Sequence, residues 1–229
     1  HGVDFVLEGR IHKSGNRVRI AVHLLRGYDR TSVWGTQFDE DLGDLLKLED
    51  SISGQVALAL VPQLSGDTRR DLSKRQTSNP KAYQAYLKGR WHWNQQTVDS
   101  LAKALQCFMV SIAEDPQYAS AHVGIADYYI WLGTWGVLPP RESFAAAKSA
   151  AMRALEIDYG LADAHASLGF TLWANDRDPG GAERELRLAV ELNPNAVNAH
   201  LWLAQLYSAQ ARHQEAAAQM RLARALDPS

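Results

Sequence analysis

The chain has 229 residues, of which 46% are hydrophobic and 22% are charged, and its formal net charge is −2. This composition is typical of a globular protein of one or two domains. The nearly balanced charge excludes a general electrostatic attraction to nucleic acid or to an anionic membrane. The single cysteine, Cys107, excludes an internal disulfide and a CxxC metal site. No apolar run reaches the length of a membrane-spanning helix, so we expect no span within this sequence.

The N-terminal residues alternate between apolar and polar side chains, as strands do when one face is buried. Val3–His12 and Arg17–Leu25 both show this alternation, and the turn Ser14-Gly15-Asn16 separates them. Two such runs around a short loop that contains glycine predict a β-hairpin. A third strand is expected over Ser32–Asp39.

A long helix is predicted to follow over Leu45–Leu64, where apolar residues recur at spacings of three and four. Residues 1–64 therefore form a small partial α/β module of type β-β-β-α, and the polar segment 65–79 is a linker. Such a module buries little apolar surface, and an uncovered hairpin edge associates readily. We expect it to contact an upstream segment, the second domain, or a second copy of the chain in a homodimer.

From Pro80 onward the sequence is helical and repeats itself. The last segment matches the preceding one at a distance of 34 residues, with small residues where helices would cross and large apolar residues between them. A period of this length with helix–turn–helix content is the signature of tetratricopeptide (TPR) repeats, which must stack to bury their apolar faces. The predicted repeats are residues 80–118, 119–161, 162–196 and 197–229. We therefore predict a mainly α fold, a TPR solenoid preceded by the small module.

Repeats 1 and 2 depart from this period. Repeat 2 is about nine residues longer, with Trp135–Pro140 inserted between its helices, and repeat 1 has about three extra residues near Asn94–Thr97. Insertions in a solenoid map to loops on one face, which is often the binding face. The Trp135–Pro140 loop is therefore either part of a binding surface or a hinge without a ligand.

Tryptophans are concentrated in the first helices of the repeats, and the resemblance to TPR repeats implies that these helices line the inner, concave surface of the solenoid. Aromatic rings with a few polar side chains suit a peptide or a helix as partner; alternatively, the rings only fill space between repeats. By repeat phase, the inward positions are Tyr86, Arg90, Trp93, Asp127, Trp131, Phe170, Trp173, Asn198 and Gln205. The lysine and asparagine pattern with which some TPR domains clamp a C-terminal carboxylate is not visible.

No motif predicts catalysis, and we expect neither enzyme activity nor a cofactor. His122, His165 and His200 share one repeat position, but successive repeats lie a helix-packing distance apart, on the order of 10 Å. Three such rings cannot converge on one zinc ion, so each is expected to pack between helices. Cys107 is expected to be an inert core thiol. The carboxylates expected on solvated helix faces are Asp163, Glu183 and Glu185.

The segments VDFVLEGRIHKSGNRVRIAVHLLRG and SVWGTQFDEDLGDLLKLEDSISGQVALAL resemble the second half of the TolB-amino-terminal-like domain of bacterial signalling proteins. The segments NPKAYQAYLKGRWHWNQQT, LPPRESFAAAKSAAMRALEID and NPNAVNAHLWLAQLY resemble the TPR array that follows it there. The resemblance covers almost the whole chain. It implies an upstream output domain, either a CadC-like or other DNA-binding domain or a class III adenylate cyclase, so we interpret the sequence as a fragment that lacks it.

The resemblance implies a regulatory module that binds a peptide or protein in the concave TPR groove and makes no nucleic-acid contacts of its own. The alternative is an oligomerisation scaffold that pairs upstream output domains and has no groove ligand. The expected location is the cytoplasm, or the periplasm if a membrane span precedes this region.

Overall fold

A computed structural model of the protein describes residues 5–41, 52 and 77–227. The chain divides into two units, His1–Pro80 and Lys81–Ser229. Ile52 is helical, but the rest of the predicted helix Leu45–Leu64 and most of the predicted linker 65–79 lie outside the described residues.

The three predicted strands form one antiparallel sheet in the order β1-β2-β3. Strand β1 spans Phe5–Ser14, β2 spans Arg17–Arg26 and β3 spans Ser32–Asp41. In the turn between β1 and β2, Gly15 has a φ of 59°, which is the left-handed conformation that glycine adopts without steric penalty. The predicted hairpin is confirmed, and the third strand extends to Asp41 rather than ending at Asp39.

One face of this sheet is apolar. Val18, Val22 and Leu24 of β2 are buried on it together with Phe38 of β3, and Ile52 packs against the Val22–Phe38 cluster. On β1, the side chains that remain largely exposed are Phe5 (44%), Leu7 (50%) and Ile11 (73%). Strand β1 therefore carries an apolar row that the described residues do not cover.

Eight helices follow in the part of the chain that the structure describes, two for each predicted repeat. They are α1 (Pro80–Trp93), α2 (Val98–Glu114), α3 (Ala119–Thr134), α4 (Pro140–Ile157), α5 (Ala162–Ala174), α6 (Pro179–Leu192), α7 (Val197–Ala209) and α8 (His213–Leu226). From α2 onward each helix packs against the next, and the first helices of neighbouring repeats also touch, α3 against α5 and α5 against α7. This is the stacking expected of a helical solenoid.

Helix starts follow from local sequence. Thr97 and Ser100 form a capping box at the start of α2, each side chain bonding the other's backbone N–H. Asp178 caps α6 by accepting a hydrogen bond of 2.8 Å from the Gly181 backbone N–H. Pro140 and Pro179 occupy the opening turns of α4 and α6, where the missing N–H has no intrahelical partner to lose.

A single ring joins repeats 1 and 2. Phe108 of α2 is 1% exposed and faces Gly89 of α1 and Gly124 of α3. A Cβ added at Gly89 or Gly124 would lie 2.5 Å or 2.8 Å from its ring atoms. The two glycines therefore make room for the ring where the three helices cross.

The three histidines at one repeat position fix the loop that precedes their helix. The Nε2 atoms of His122, His165 and His200 lie 3.3, 2.8 and 3.0 Å from the backbone oxygens of Pro116, Tyr159 and Pro194. His165 and His200 also reach the second helix of their repeat, since Nδ1 lies 2.6 Å from Glu185 Oε2 and from Gln219 Oε1 respectively. The rings lie between helices as predicted, and these bonds link loop, first helix and second helix.

Candidate partner-binding surface

The first helices of repeats 1 to 3 bring polar side chains together on one surface. Ser167 of α5 donates a hydrogen bond of 3.0 Å from Oγ to Asp127 Oδ1 on α3. Asp163 lies one helical turn before Ser167, and the charges of Asp163 and of Arg90 on α1 both act on Asp127. Tyr86 lies one helical turn before Arg90, and the charges of Arg90, Asp163 and Asp127 all act on its hydroxyl group. We call Tyr86, Arg90, Asp127, Asp163 and Ser167 the inner cluster.

The inner cluster holds charge on a partly solvated surface, since Arg90 and Asp127 are half-buried and Asp163 is exposed. Burial, and after it the Asp163 carboxylate, raises the pKa of Asp127 to about 7 against the opposing effects of the Ser167 hydrogen bond and the Arg90 guanidinium. Burial likewise raises the pKa of Asp163, against the opposing charge of Arg90. Strongly perturbed carboxyl groups that gather on one surface are candidates for a functional site.

Three of the predicted groove residues, Tyr86, Arg90 and Asp127, are thus brought together. The sequence analysis missed Asp163 and Ser167. Asp163 is exposed, as expected of a solvated helix face, although partial desolvation by the surrounding helices raises its pKa. The spacing of four between Asp163 and Ser167 on α5 was the available signal, since it places both on one helix face.

The predicted tryptophans flank the inner cluster along the same helices. Trp93 and Trp131 are partly buried near the ends of α1 and α3, and the Trp131 ring centroid lies 6.1 Å from that of Trp135 in the inserted loop. Trp135 is 71% exposed. The backbone N–H of Val137 bonds the Leu132 carbonyl at 2.9 Å, so the loop is tied to the end of α3 and presents an aromatic pair.

Phe170 and Trp173 belong mainly to the packing between repeats. Phe170 is only 6% exposed, and its ring meets those of Phe144, Trp173 and Trp202 at centroid distances of 5.5, 6.2 and 5.1 Å. Trp173 is partly buried against the same group. A partner on this surface would contact little of Phe170. For Phe170, the alternative that the ring only fills space between repeats is therefore the better description.

Asn198 and Gln205 are exposed on α7 and are not part of the inner cluster. They occupy in repeat 4 the repeat positions of Asp163 and Phe170. Repeat 4 thus carries the exposed amide of Gln205 where repeat 3 carries the buried ring of Phe170.

A second charged group links repeats 3 and 4. Arg212 donates to Glu183 at 2.7 Å and to Glu215 at 2.6 Å, and its guanidinium stacks 4.0 Å from the centre of the Tyr207 ring. Arg187 completes the set through bonds to Glu183 and Tyr207. We call these five residues the Arg212 network. Glu183 is therefore ion-paired with Arg212 and Arg187, and Glu185 Oε2 lies 2.6 Å from His165 Nδ1. Both carboxylates are half-buried rather than simply solvated, which differs from the expectation from sequence.

Within residues 5–41, 52 and 77–227, no group of three or more His, Cys, Asp or Glu side chains is placed to hold a metal ion. In that same part of the chain, no helix combines the length and the apolar character that crossing a bilayer requires. Cys107, expected to be an inert core thiol, is half-buried on α2, and its inertness stays a prediction.

Comparison with known proteins supports the repeat architecture. No protein-family model matches the chain. Among solved structures, a thermophilic TPR protein from Thermus thermophilus matches 77% of the chain and 92% of its own length, at 23% identity and a TM-score of 0.54. This likeness shows the fold. Together with the helix stacking and the N-terminal antiparallel sheet, it confirms the predicted mainly α fold with a TPR-like solenoid.

Two curated relatives match most of the chain at low identity. The chain is 27% identical over 173 residues, 75% of its length, to putative adenylate cyclase 3 of Rhizobium meliloti (strain 1021). It is 24% identical over 168 residues, 72% of its length, to the transcriptional regulator HilA of Salmonella typhimurium. The chain spans 29% and 30% of these two proteins. The TolB-like assignment of residues 1–64 stays a prediction.

Proposed function

We propose that the solenoid, residues 80–229, binds a peptide or protein partner on the surface of its first helices and serves as a regulatory module of a bacterial signalling or transcriptional protein. The observation that carries this proposal is the inner cluster. Arg90, Asp127 and Asp163 come from three successive repeats and share one surface, where burial raises the pKa of both carboxyl groups. The chain acts through binding and carries no catalytic step.

Charge and aromatic character indicate the partner's chemistry. The inner cluster contains two carboxyl groups against one guanidinium, so an added positive charge would be favourable there. Trp131 and Trp135 offer ring faces beside it, and tryptophan attracts cations as well as apolar side chains. We therefore propose that the partner presents a lysine or arginine next to an apolar or aromatic residue, in an extended or helical segment.

The regulatory context rests on the two relatives. One is named as an adenylate cyclase and the other as a transcriptional regulator, and the chain matches less than a third of each. A match of this chain to less than a third of two proteins with such different names is better explained by a shared interaction role than by a shared reaction. We propose that partner binding changes the state of an output domain elsewhere in the protein.

A library of random dodecamer peptides displayed on phage tests this function directly. Peptides would be selected on the 229-residue chain and then measured as synthetic peptides against Trp131→Ala and Asp127→Asn. Met152→Ala is the matched control, because Met152 is 47% exposed on α4, a second helix. We expect a consensus with a basic and an apolar residue, binding weakened at least about tenfold by each surface variant, and no change in the control.

Equal binding by the wild type and both surface variants would refute the location of the site. A selection that yields no consensus on the wild type, repeated at two ionic strengths, would refute peptide binding as such. Low salt favours detection, because screening weakens exposed charge pairs over about 10 Å at 0.1 M.

The second candidate, an oligomerisation scaffold, is favoured by the apolar row on β1. Ile11 is 73% exposed on a strand that pairs with β2 alone in the described sheet. An apolar edge strand of this kind invites association through residues 1–64. Light scattering of the wild-type chain and of Ile11→Lys tests this: a dimer that the variant dissociates supports the scaffold, whereas a wild-type monomer at micromolar concentration excludes it.

A further inference from the structure

Strand β1 has one backbone edge that the described sheet leaves open, since β1 pairs with β2 alone. The two-residue turn Gly15-Asn16 joins the two strands, with Ser14 opposite Arg17. The pair that closes such a turn is hydrogen-bonded, and bonded and non-bonded pairs alternate along an antiparallel ladder. The even-numbered residues of β1 therefore bond to β2, and the odd-numbered residues direct their N–H and C=O groups towards the open edge.

The side chains of β1 form two rows of different character. The apolar row shares the face of the sheet on which the side chains of β2 are buried, because Leu7 lies opposite Leu24 and opposite residues point to the same face. On the other face, Glu8 and Arg10 are exposed on either side of Gly9. The open edge thus combines unpaired backbone groups, apolar side chains and two opposite charges at a spacing of two residues.

We propose that two copies of the chain associate through β1, antiparallel and with a twofold axis at Gly9, so that their two sheets form one continuous sheet. This deepens the oligomerisation scaffold proposed above by defining its interface, and it is independent of the peptide-binding surface. Leu7 lies opposite Ile11 of the second copy in this register. Glu8 lies opposite Arg10 of the second copy. Odd-numbered residues meet odd-numbered ones, so the outward N–H and C=O groups of both strands bond to each other.

The charges on β1 are complementary in this register. Glu8 and Arg10 of each copy form a square in which every side joins a negative and a positive group. The two cross-strand sides are non-hydrogen-bonded pairs, in which side chains approach most closely, and opposite charges there are stabilising. Glu8 also accepts a hydrogen bond of 3.0 Å from Arg30. It can keep this bond in the dimer, because a carboxylate has room for two guanidinium groups.

Neighbouring registers lack this complementarity. An axis at Glu8 or at Arg10 would still allow the backbone bonds, but it would place two carboxylates or two guanidinium groups directly opposite each other, which is destabilising. The register with its axis at Gly9 also pairs Leu7 with Ile11 of the second copy, two side chains that are 50% and 73% exposed in a single chain. Charge and apolar burial therefore favour the same register.

A charge exchange between two variants tests the interface. Glu8→Arg makes both positions positive and Arg10→Glu makes both negative, so in each variant two attractive pairs become repulsive. We expect the dimer dissociation constant of the full chain, measured by light scattering over a concentration series, to rise about tenfold in each variant. An equimolar mixture should return to nearly the wild-type value as a heterodimer, because every Glu again lies opposite an Arg.

The rescue in the mixture is the decisive result. Loss of the ion pair between Glu8 and Arg30 occurs in Glu8→Arg alone and in the mixture alike, so it cannot produce a rescue. Arg141→Glu is the matched control, since Arg141 is exposed on α4 and undergoes the same charge change as Arg10→Glu; it should dimerise as the wild type does. A wild-type monomer at micromolar concentration, or a dimer that neither variant weakens, would overturn the proposal.

Cysteine cross-linking determines the direction of pairing. In a Cys107→Ala background, Gly9→Cys places two thiols at the axis, where opposite Cα atoms lie about 5.5 Å apart, within disulfide range. The position has room for a Cβ, whose nearest neighbour would be the Ala21 backbone oxygen at 3.8 Å. Lys13→Cys is the control, because its two copies lie eight residues apart along the strands, about 27 Å.

Oxidation should yield a covalent dimer of Gly9→Cys and none of Lys13→Cys. Cross-linking of both variants would indicate parallel strands, and cross-linking of neither would place the contact elsewhere; either result would overturn the proposed register. No peptide is used in these measurements, so failure to find the dimer and failure to select a peptide remain separate results.

Discussion

The inner cluster and the Arg212 network are both groups of charged side chains that join neighbouring repeats, but they are built in opposite ways. In the Arg212 network, hydrogen bonds from Arg212 hold the pKa of Glu183 below its usual value. In the inner cluster, burial raises the pKa of Asp127 to about 7. The first arrangement neutralises its charges internally. The second leaves a charge for something else to neutralise, which is why we assign binding to the inner cluster and cohesion to the network.

The two groups also lie on different helices of the repeats. The inner cluster lies on first helices, α1, α3 and α5, whereas the Arg212 network connects α6 with the end of α7 and the start of α8. The buried histidines add further links between loops and second helices. Variants that remove such links should lower the free energy of unfolding and leave peptide binding intact in the molecules that remain folded. Variants of the inner cluster should weaken peptide binding and leave the free energy of unfolding nearly unchanged.

The largest expected effect is a loss of stability in His165→Ala, a variant that removes links between helices. The ring is fully buried, and its removal leaves the Tyr159 carbonyl and the Glu185 carboxylate without their partner. Loss of the bonds and the resulting cavity should lower the free energy of unfolding by about 2–4 kcal/mol. Urea unfolding at neutral pH measures the change.

His122→Ala is the matched comparison for His165→Ala. It shares the repeat position, but His122 is only partly buried and its Nε2–carbonyl distance is 3.3 Å. We expect a loss of about 1 kcal/mol or less. If both variants were equally stable, the histidines would not link loop and helices in the way that the geometry indicates.

The next effect in size is expected for Arg212→Met, which removes the centre of the network but keeps an apolar chain over Tyr207. The pKa of Glu183 is held down mainly by its bond to Arg212, so this stabilisation is present above the usual value of 4.5 and is lost as the pH falls through the lowered value. We therefore expect the variant to melt at a lower temperature than the wild type at neutral pH. The difference should shrink at about pH 3.5 and in about 1 M salt.

A melting difference for Arg212→Met that is the same at both pH values would show that stacking on Tyr207, and not charge, dominates. Arg212→Lys distinguishes the two further, since lysine keeps the charge but not the planar fork that reaches Glu183 and Glu215 together. Peptide binding by either variant should match that of the wild type.

Much of the fold could be predicted because the apolar residues of the sequence recur in periodic patterns. Alternation predicts β1 and β2, and the 34-residue period predicts the helix pairs. The position of the histidines between helices also follows from the period. What the period cannot give is the hydrogen-bond partner, since Glu185 and Gln219 lie on a second helix whose rotation about its axis depends on packing.

The candidate surface was only partly predictable for the same reason. Repeat phase places Asp127 and Phe170 at equivalent positions, yet Phe170 is 6% exposed among aromatic neighbours, whereas Asp127 meets Ser167. What surrounds each of two equivalent residues depends on the side chains of the next repeat, which are rings beside Phe170 and a hydroxyl beside Asp127. Asp163 was missed because an acidic residue in the first turn of a helix usually lies in solvent, where it suits the helix dipole.

The smallest predicted effects are the most specific to the inner cluster, and they have opposite signs. Asp163→Asn removes the negative charge that raises the pKa of Asp127, and Arg90→Met removes the positive charge that lowers it. We expect the titration midpoint of Asp127, followed by ¹³C NMR of its carboxyl carbon, to fall in the first variant and to rise in the second, each by a fraction of a pH unit. Arg141→Met, an exposed arginine on α4, should leave the midpoint unchanged. Because burial is the larger cause of the raised pKa, even Asp163→Asn should leave Asp127 well above 3.8. A return to that ordinary value would mean that repulsion from Asp163, rather than desolvation, governs the pKa of Asp127.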